Sequence, residues 1–232
     1  MNGSGGDISF FWMARTRKYL QWKIAQSAEL RWWQNYLKGK DADLYKKEKL
    51  LYWEKVLSSI QPALPPLLGL DILDAGCGPA GVFMSLKDSL VDAVDPLLED
   101  YHHRLKHFDK GDYPWVRFFE SSLEQFELKK QYDIVFCLNA INHVADIGLC
   151  YQKLSDWVKP GGFLVISIDS HTVPGLKHLF RWLPGDILHP HQFDSKDYRD
   201  FLTQQNLILL SEHLLNKGWI FNHTLQIAQK PS

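Results

Sequence analysis

The pattern of apolar positions changes character near residue 61. Upstream, apolar residues recur at three- and four-residue spacing, which predicts helices. The clearest series is Leu50, Trp53, Leu57 and Ile60. Residues 15–37 contain no Pro or Gly and predict another helix, with Gly39 in the break between the two. The proline-rich stretch 61–69 cannot continue a helix, so it marks a boundary.

Downstream of this boundary, short apolar runs alternate with segments of helix length. The runs are 72–75, 90–94, 116–119, 132–138, 163–168, 207–210 and 219–227. Strands separated by crossover helices predict a mostly parallel sheet with both faces covered. We therefore expect an α/β fold, with a helical N-terminal cap at 1–62 and a doubly wound, seven-stranded domain at 63–232. Ligands of such sheets bind at the carboxyl ends of the strands.

Composition excludes several classes of protein. The 232 residues are 45% hydrophobic and 23% charged, which is typical of globular chains and not of disordered ones. The net charge of −1 argues against a nucleic-acid binder that relies on a basic field. Three cysteines without a CxxC pair exclude a disulfide scaffold and a four-cysteine zinc site. No apolar run is long enough to span a bilayer, and no secretory pattern opens the chain, so we expect a cytoplasmic protein.

The charge is unevenly distributed along the chain. Residues 1–60 carry 11 Lys or Arg and 6 Asp or Glu. Residues 61–232 carry 15 Lys or Arg and 21 Asp or Glu. Five of the nine tryptophans fall in the same basic segment, namely Trp12, Trp22, Trp32, Trp33 and Trp53. A segment this short cannot bury its own tryptophans, so we expect it to cover the pocket at the strand ends. The alternatives are packing on the far side of the sheet, a dimer interface, a partner surface or an interfacial membrane helix.

The first strand of the domain ends in a glycine-rich loop. Residues 74–81 read Asp-Ala-Gly-Cys-Gly-Pro-Ala-Gly and are expected to open a helix, with Pro79 in its first turn. The glycines fit GxGxxG, which alone would favour a dinucleotide. Asp74 suits a cationic amine better than a pyrophosphate, and Asp95 ends the second strand where it could bind ribose hydroxyls. An amine with a ribose and no phosphate describes S-adenosylmethionine better than NAD.

With these motifs the chain resembles a class I S-adenosylmethionine-dependent methyltransferase of the small-molecule type. It is similar to the ubiquinone and menaquinone methyltransferase branch. Four blocks carry the resemblance, in family order: 73–79, 94–96, 132–146 and 158–168. Two positions depart from the family pattern. Ser122 stands where an acid often follows the third strand, and Asn142 replaces the usual glutamate before His143.

The resemblance implies a set of cofactor contacts. Asp74 and the Gly76, Cys77 and Gly78 loop would hold the methionine moiety, and Asp95 with Pro96 would hold the ribose. The remaining contacts implied are Ser122 and Leu123 at the adenine, and Leu138 and Asn139 on the methionine and methyl side. For Asp74 and Asp95 the alternative is turn or capping chemistry.

His143 is the candidate general base, because a hydroxyl acceptor must lose a proton and histidine titrates near neutral pH. The alternative is a structural histidine that opens the following helix. His189 and His191 resemble a pair of metal ligands, and Asp169, His171 and Asp186 lie nearby in sequence. No metal site is expected, because a metal needs three or four converging ligands and histidines in loops are usually solvated. The insertion 169–193 either roofs the acceptor pocket or packs on the body. Its apolar residues are Phe180, Trp182 and Leu183.

The predicted function is S-adenosylmethionine-dependent methyl transfer to a small molecule, with an oxygen nucleophile on an aromatic or lipid-like metabolite. We expect no nucleic-acid partner and no stable membrane insertion. Two alternatives stay open: a non-catalytic S-adenosylmethionine-binding module, and a protein or nucleic-acid methyltransferase. The second is disfavoured because residues 139–142 read Asn-Ala-Ile-Asn and lack the Asn/Asp-Pro-Pro-aromatic clamp of amino-methylating enzymes.

Overall fold

The seven apolar runs form the strands of one sheet in the computed structural model, which describes residues 23–171, 195–217 and 221–232. The strands are β1 (Asp71–Ala75), β2 (Leu90–Asp95), β3 (Val116–Glu120), β4 (Tyr132–Cys137), β5 (Val158–His171), β6 (Ile208–Lys217) and β7 (Phe221–Gln229). The helices are α1 (23–37), α2 (Ala42–Ile60), α3 (Leu98–Arg104), α4 (Ile147–Trp157) and α5 (Ser195–Gln204). The predicted α/β class and strand content are confirmed.

The strand order places a crevice at the centre of the sheet. The order is β3-β2-β1-β4-β5-β7-β6, and β7 runs antiparallel to both β5 and β6. The other pairings are parallel. The chain leaves β1 in one direction for β2 and β3, and later returns on the other side as β4. This reversal opens a ligand crevice at the carboxyl ends of β1 and β4.

Alternating side chains give the sheet two buried faces. Ile72 of β1 belongs to the core that also contains buried residues of α1, α2 and α3, whereas its neighbour Leu73 belongs to the core under α4 and α5. The N-terminal helices thus share a core with the sheet. Trp53 of α2 adds a hydrogen bond from its indole Nε1 to the carbonyl oxygen of Ala80, at 2.8 Å.

The predicted helix after β1 is wrong. One 3-10 turn, Val82–Ser85, takes its place, and Pro79 lies in the turn before it. Once the glycine loop is complete, only residues 82–89 remain to reach β2, which is about two helical turns of chain. Helix α2 lies against the 3-10 turn, and the bond from Trp53 fastens it to the loop.

Two further boundaries differ from expectation. β5 continues to His171, so Asp169 and His171 lie in a strand and not in an insertion. His143 ends a 3-10 turn, Ile141–His143, and α4 begins only at Ile147, so the idea that His143 opens that helix is wrong. Asp146 provides the N-cap by accepting the amide hydrogen of Leu149 at 3.1 Å. None of the described helices has the length and apolar content needed to cross a bilayer.

The Trp53 hydrogen bond predicts a measurable loss of stability. Trp53→Phe keeps an aromatic ring but leaves the buried carbonyl of Ala80 without its donor, which should cost about 1–3 kcal/mol. This loss is measured as the difference in the free energy of unfolding between the wild type and Trp53→Phe in urea titrations. Tyr52→Phe, at the adjacent and exposed side chain, is the control. Equal stability of the two variants would contradict the assigned role of the indole.

Candidate functional site

One pocket opens at the carboxyl ends of β1, β2 and β4. The space between its lining atoms, including the open mouth, amounts to about 980 Å³. Every residue that the sequence implicated in cofactor binding lines it: Asp74, Gly76, Cys77, Gly78, Asp95, Pro96, Ser122, Leu123, Leu138 and Asn139. His143 lines it as well. The structure therefore brings the predicted set together, and the role of each member stays a prediction.

Asp74 is buried at the end of β1. Its Oδ2 accepts the amide hydrogen of Phe83 at 3.0 Å, and its carboxylate also accepts a hydrogen bond from the amide of Val82. Burial raises the pKa of Asp74 to about 7 despite these bonds. Turn chemistry at Asp74 is thus present, and it coexists with a position on the pocket wall.

Asp95 joins the end of β2 to the glycine loop. Its Oδ1 accepts the amide hydrogen of Leu97 at 2.9 Å, and its Oδ2 accepts that of Gly78 at 3.0 Å. Burial, followed by the nearby charge of Glu29, raises the pKa of Asp95. Each carboxylate oxygen can accept more than one hydrogen bond, so the group can still receive hydroxyl donors from a ligand.

The glycine loop needs residues without side chains. Gly76 has a φ of 74°, and a Cβ there would overlap the Cβ of Ala140 in the loop after β4. The amides of Gly76 and Cys77 both donate to the carbonyl of Val94, at 2.8 and 3.1 Å. These contacts hold the loop after β1 against β2 and against the loop after β4. Burial raises the pKa of the Cys77 thiol, which makes it a poor nucleophile.

Asn139 turns the chain into the pocket after β4. Its φ is 56°, a left-handed conformation that asparagine tolerates better than most residues. Its amide donates to Ser167 Oγ at 2.7 Å, and that hydroxyl donates to Asn139 Oδ1 at 3.2 Å. The loop is thereby fixed to β5, so the methyl side of the predicted site rests on a rigid strand.

The two departures from the family pattern have structural accounts. Asn142 is buried outside the pocket lining, where its Oδ1 accepts the hydroxyl hydrogen of Tyr198 at 2.6 Å and so ties the loop to α5. At the end of β3, the carboxylate of Glu120 accepts the amide hydrogen of Glu99 at the start of α3. Ser122, and not Glu120, lines the pocket.

Helices α1 and α2 supply six further lining residues, of which only Trp33 and Trp53 were named from the sequence, as tryptophans of the segment expected to cover the pocket. The six residues are Gln26, Glu29, Trp33, Lys49, Tyr52 and Trp53. Their spacing of three and four residues marks one face of each helix, but the spacing does not say which face meets the sheet. Among the described lining residues, Lys49 is the only Lys or Arg. Glu124 also lines the pocket.

Within residues 23–171, 195–217 and 221–232, no group of three His, Cys, Asp or Glu residues could hold a metal ion. Eight residues singled out in the sequence lie outside the described residues: Trp12, Trp22, Phe180, Trp182, Leu183, Asp186, His189 and His191.

The raised pKa of Asp74 predicts a pH effect on stability. Its pKa is about 7 when folded and near 3.8 when unfolded, so the folded state binds more protons between these values. The contribution of Asp74 to the free energy of unfolding therefore falls as pH rises from about 4 to about 7. Asp74→Asn cannot ionise, so the stability of the wild type relative to this variant should fall over that range in urea titrations without ligand. A difference that is flat or rises with pH would contradict the assignment.

Comparison with known proteins agrees with this architecture. A family model described as a methyltransferase domain matches residues 73–164. The ubiquinone biosynthesis O-methyltransferase of Bradyrhizobium sp. (strain ORS 278) is 27% identical over 198 residues, covering 78% of this chain and 76% of that protein. The Bradyrhizobium diazoefficiens protein of the same name is 25% identical over 62% of this chain. The chain spans 60% of that relative, less than two thirds of its length.

Solved structures share the fold at low sequence identity. Magnesium protoporphyrin IX methyltransferase from Synechocystis PCC 6803, with bound S-adenosylhomocysteine, aligns with a TM-score of 0.62 and 18% identity, covering 92% of this chain and 99% of that one. The N-methyltransferase NodS from Bradyrhizobium japonicum aligns with a TM-score of 0.57 and 13% identity, covering 83% of this chain and 100% of that one. Residues 73–164 match a methyltransferase domain, and the motifs, the sheet order and the relatives together support a class I S-adenosylmethionine-dependent methyltransferase.

Proposed function

We propose that this protein transfers a methyl group from S-adenosylmethionine to the oxygen of an aromatic or lipid-like small molecule. The observation that carries the proposal is that amides in and after the glycine loop already donate hydrogen bonds to the carboxylates of Asp74 and Asp95. A dinucleotide pyrophosphate binds free amides at a helix N-terminus. Here no α-helix follows the loop. The carboxylate of Asp74 accepts the amide hydrogen of Phe83, and that of Asp95 accepts the amide hydrogen of Gly78. A phosphate would meet two carboxylates, whereas an ammonium and a ribose diol would be attracted to them.

The donor set fits each part of S-adenosylmethionine. Asp74 would hold the ammonium of the methionine moiety, and Lys49 of α2 would hold its carboxylate, since no other Lys or Arg is among the described lining residues. Asp95 would accept the ribose hydroxyls. Pro96 would contact the ribose beside Asp95, and the buried Leu123 would contact the adenine, with Ser122 at its edge. When bound, the cofactor supplies a methyl group on a sulfonium, which is already activated for displacement.

What the protein must add is alignment and exclusion of water. Leu138 and Val144 are buried beside the pocket, and Trp53 closes it from α2 with its ring fixed by the bond to Ala80. We propose that residues 1–62 act as a cap on the domain at 63–232. The aromatic and apolar wall supports an aromatic or lipid-like acceptor. The ubiquinone biosynthesis relatives support a small molecule methylated on oxygen.

His143 is the proposed base for a hydroxyl acceptor. It lines the same pocket as Leu138 and Asn139, on the side where the methyl group would lie. Removal of the acceptor proton by the imidazole would raise the nucleophilicity of the oxygen as the methyl is transferred.

Transfer of labelled methyl groups tests the proposal as a whole. The protein is incubated with S-[methyl-³H]adenosylmethionine and, separately, with lipid-soluble metabolite, protein and RNA fractions. Label in the metabolite fraction supports the proposal. Label only in protein or RNA, or cofactor binding without transfer, favours one of the two alternative functions and contradicts this one.

His143→Ala should lower turnover on an oxygen acceptor by roughly 10²–10⁴ while the dissociation constant of S-adenosylhomocysteine stays nearly unchanged. His103→Ala is the control, because His103 lies on α3 outside the pocket and is largely exposed. If turnover is unchanged and the melting temperature falls, His143 is structural.

The cap predicts a separable effect on the acceptor. Tyr52→Ala removes an aromatic wall and should raise the KM for the acceptor roughly tenfold with little change in cofactor affinity. Leu51→Ala is the matched control, because Leu51 is exposed on the same helix and does not line the pocket. Equal KM values in the two variants would contradict a role of α2 in acceptor binding.

A further inference from the structure

We infer that Glu29 of α1, which lines the same pocket as Asp95, is a second carboxylate for the cofactor ribose. The inference rests on the proposed use of S-adenosylmethionine and adds to it a contact from outside the methyltransferase motifs. Residue 29 precedes the region 73–164 that the family model matches. The cofactor would then be bound by the sheet and by the N-terminal helices together.

Glu29 is held in place by a contact with helix α3. The hydroxyl of Tyr101, a fully buried residue of α3, donates to Glu29 Oε1 at 3.1 Å. The Tyr101 ring also meets the ring of Trp33, one turn further along α1, edge to face at a centroid distance of 6.4 Å. A half-buried carboxylate oriented by a buried hydroxyl has a defined direction, unlike a surface glutamate.

The charge arrangement calls for hydroxyl donors. Glu29, Asp95 and Pro96 line the same pocket, and Glu29 lies close enough to Asp95 for its charge to contribute to the raised pKa of Asp95. Two neighbouring carboxylates repel each other in a partly buried site, and they accept hydrogen bonds strongly. A ribose carries two adjacent hydroxyls, so one can donate to each carboxylate. An anionic group at this place would be repelled by both.

This contact would link cofactor binding to the cap. Asp95 belongs to β2 and Glu29 to α1, so a ribose bound to both fixes α1 over the pocket. Trp33 and Gln26 lie on the same helix and line the same pocket, and they would be fixed with it. The acceptor pocket would then be completed only when the cofactor is present.

The test compares ligands with and without the ribose hydroxyls. Binding of S-adenosylhomocysteine and of its 2′-deoxy and 3′-deoxy analogues is measured by calorimetry on the wild type, Glu29→Ala and Gln34→Ala. Gln34 is exposed on the same helix and does not line this pocket, so it is the control. We expect Glu29→Ala to weaken S-adenosylhomocysteine binding about tenfold, as for one charge-assisted hydrogen bond. For the analogue that lacks the contacted hydroxyl, the same variant should show little change.

A second variant separates binding from structure. Tyr101→Phe removes the hydroxyl that orients Glu29 and should weaken S-adenosylhomocysteine binding in the wild type but not further in Glu29→Ala. Equal losses for all three ligands, or no loss in Glu29→Ala, would overturn the inference while leaving the proposed function intact. Failure of the wild type to bind S-adenosylhomocysteine at all would overturn both.

Discussion

The site depends on two buried carboxylates that hold the backbone of the glycine loop. Asp74 fixes the amides at the start of the 3-10 turn, and Asp95 fixes the amide of Gly78. Burial disfavours the charged form of each carboxylate and therefore raises its pKa. A ligand that offers positive charge or hydroxyl donors relieves this cost. The same bonds that shape the loop therefore select what enters it.

The short connection after β1 has a second consequence. Without a full helix at this position, part of that sheet face is covered by α2, whose residues Trp53, Val56, Leu57 and Ile60 are buried in the same core. Helix α2 thus contributes to the core and also lines the pocket, through Lys49, Tyr52 and Trp53. Folding of the N-terminal helices and formation of the site are thus physically coupled.

The sequence predicted the strands and the sheet class because these depend on local pattern. The pocket-lining set came mostly from the resemblance to a methyltransferase family, with Asp74 and Asp95 also indicated by their places at strand ends. Continuous apolar runs mark buried parallel strands, and carboxylates at their ends meet at one edge. It did not predict the 3-10 turn at 82–85, because a glycine loop followed by apolar residues reads as a helix start whatever length of chain remains. It did not name Glu29 or Lys49, because the face that a helix turns to the sheet is decided by tertiary packing.

The central claim, that the pocket selects S-adenosylmethionine and not a dinucleotide, is tested most directly by calorimetric titration with S-adenosylhomocysteine and with NADH. The account predicts that the wild type binds S-adenosylhomocysteine, that Asp95→Ala loses most of this binding, and that an exposed control, Asp109→Ala, keeps it. NADH should show no binding to any of the three proteins. Binding of NADH by the wild type, without binding of S-adenosylhomocysteine, would contradict the account.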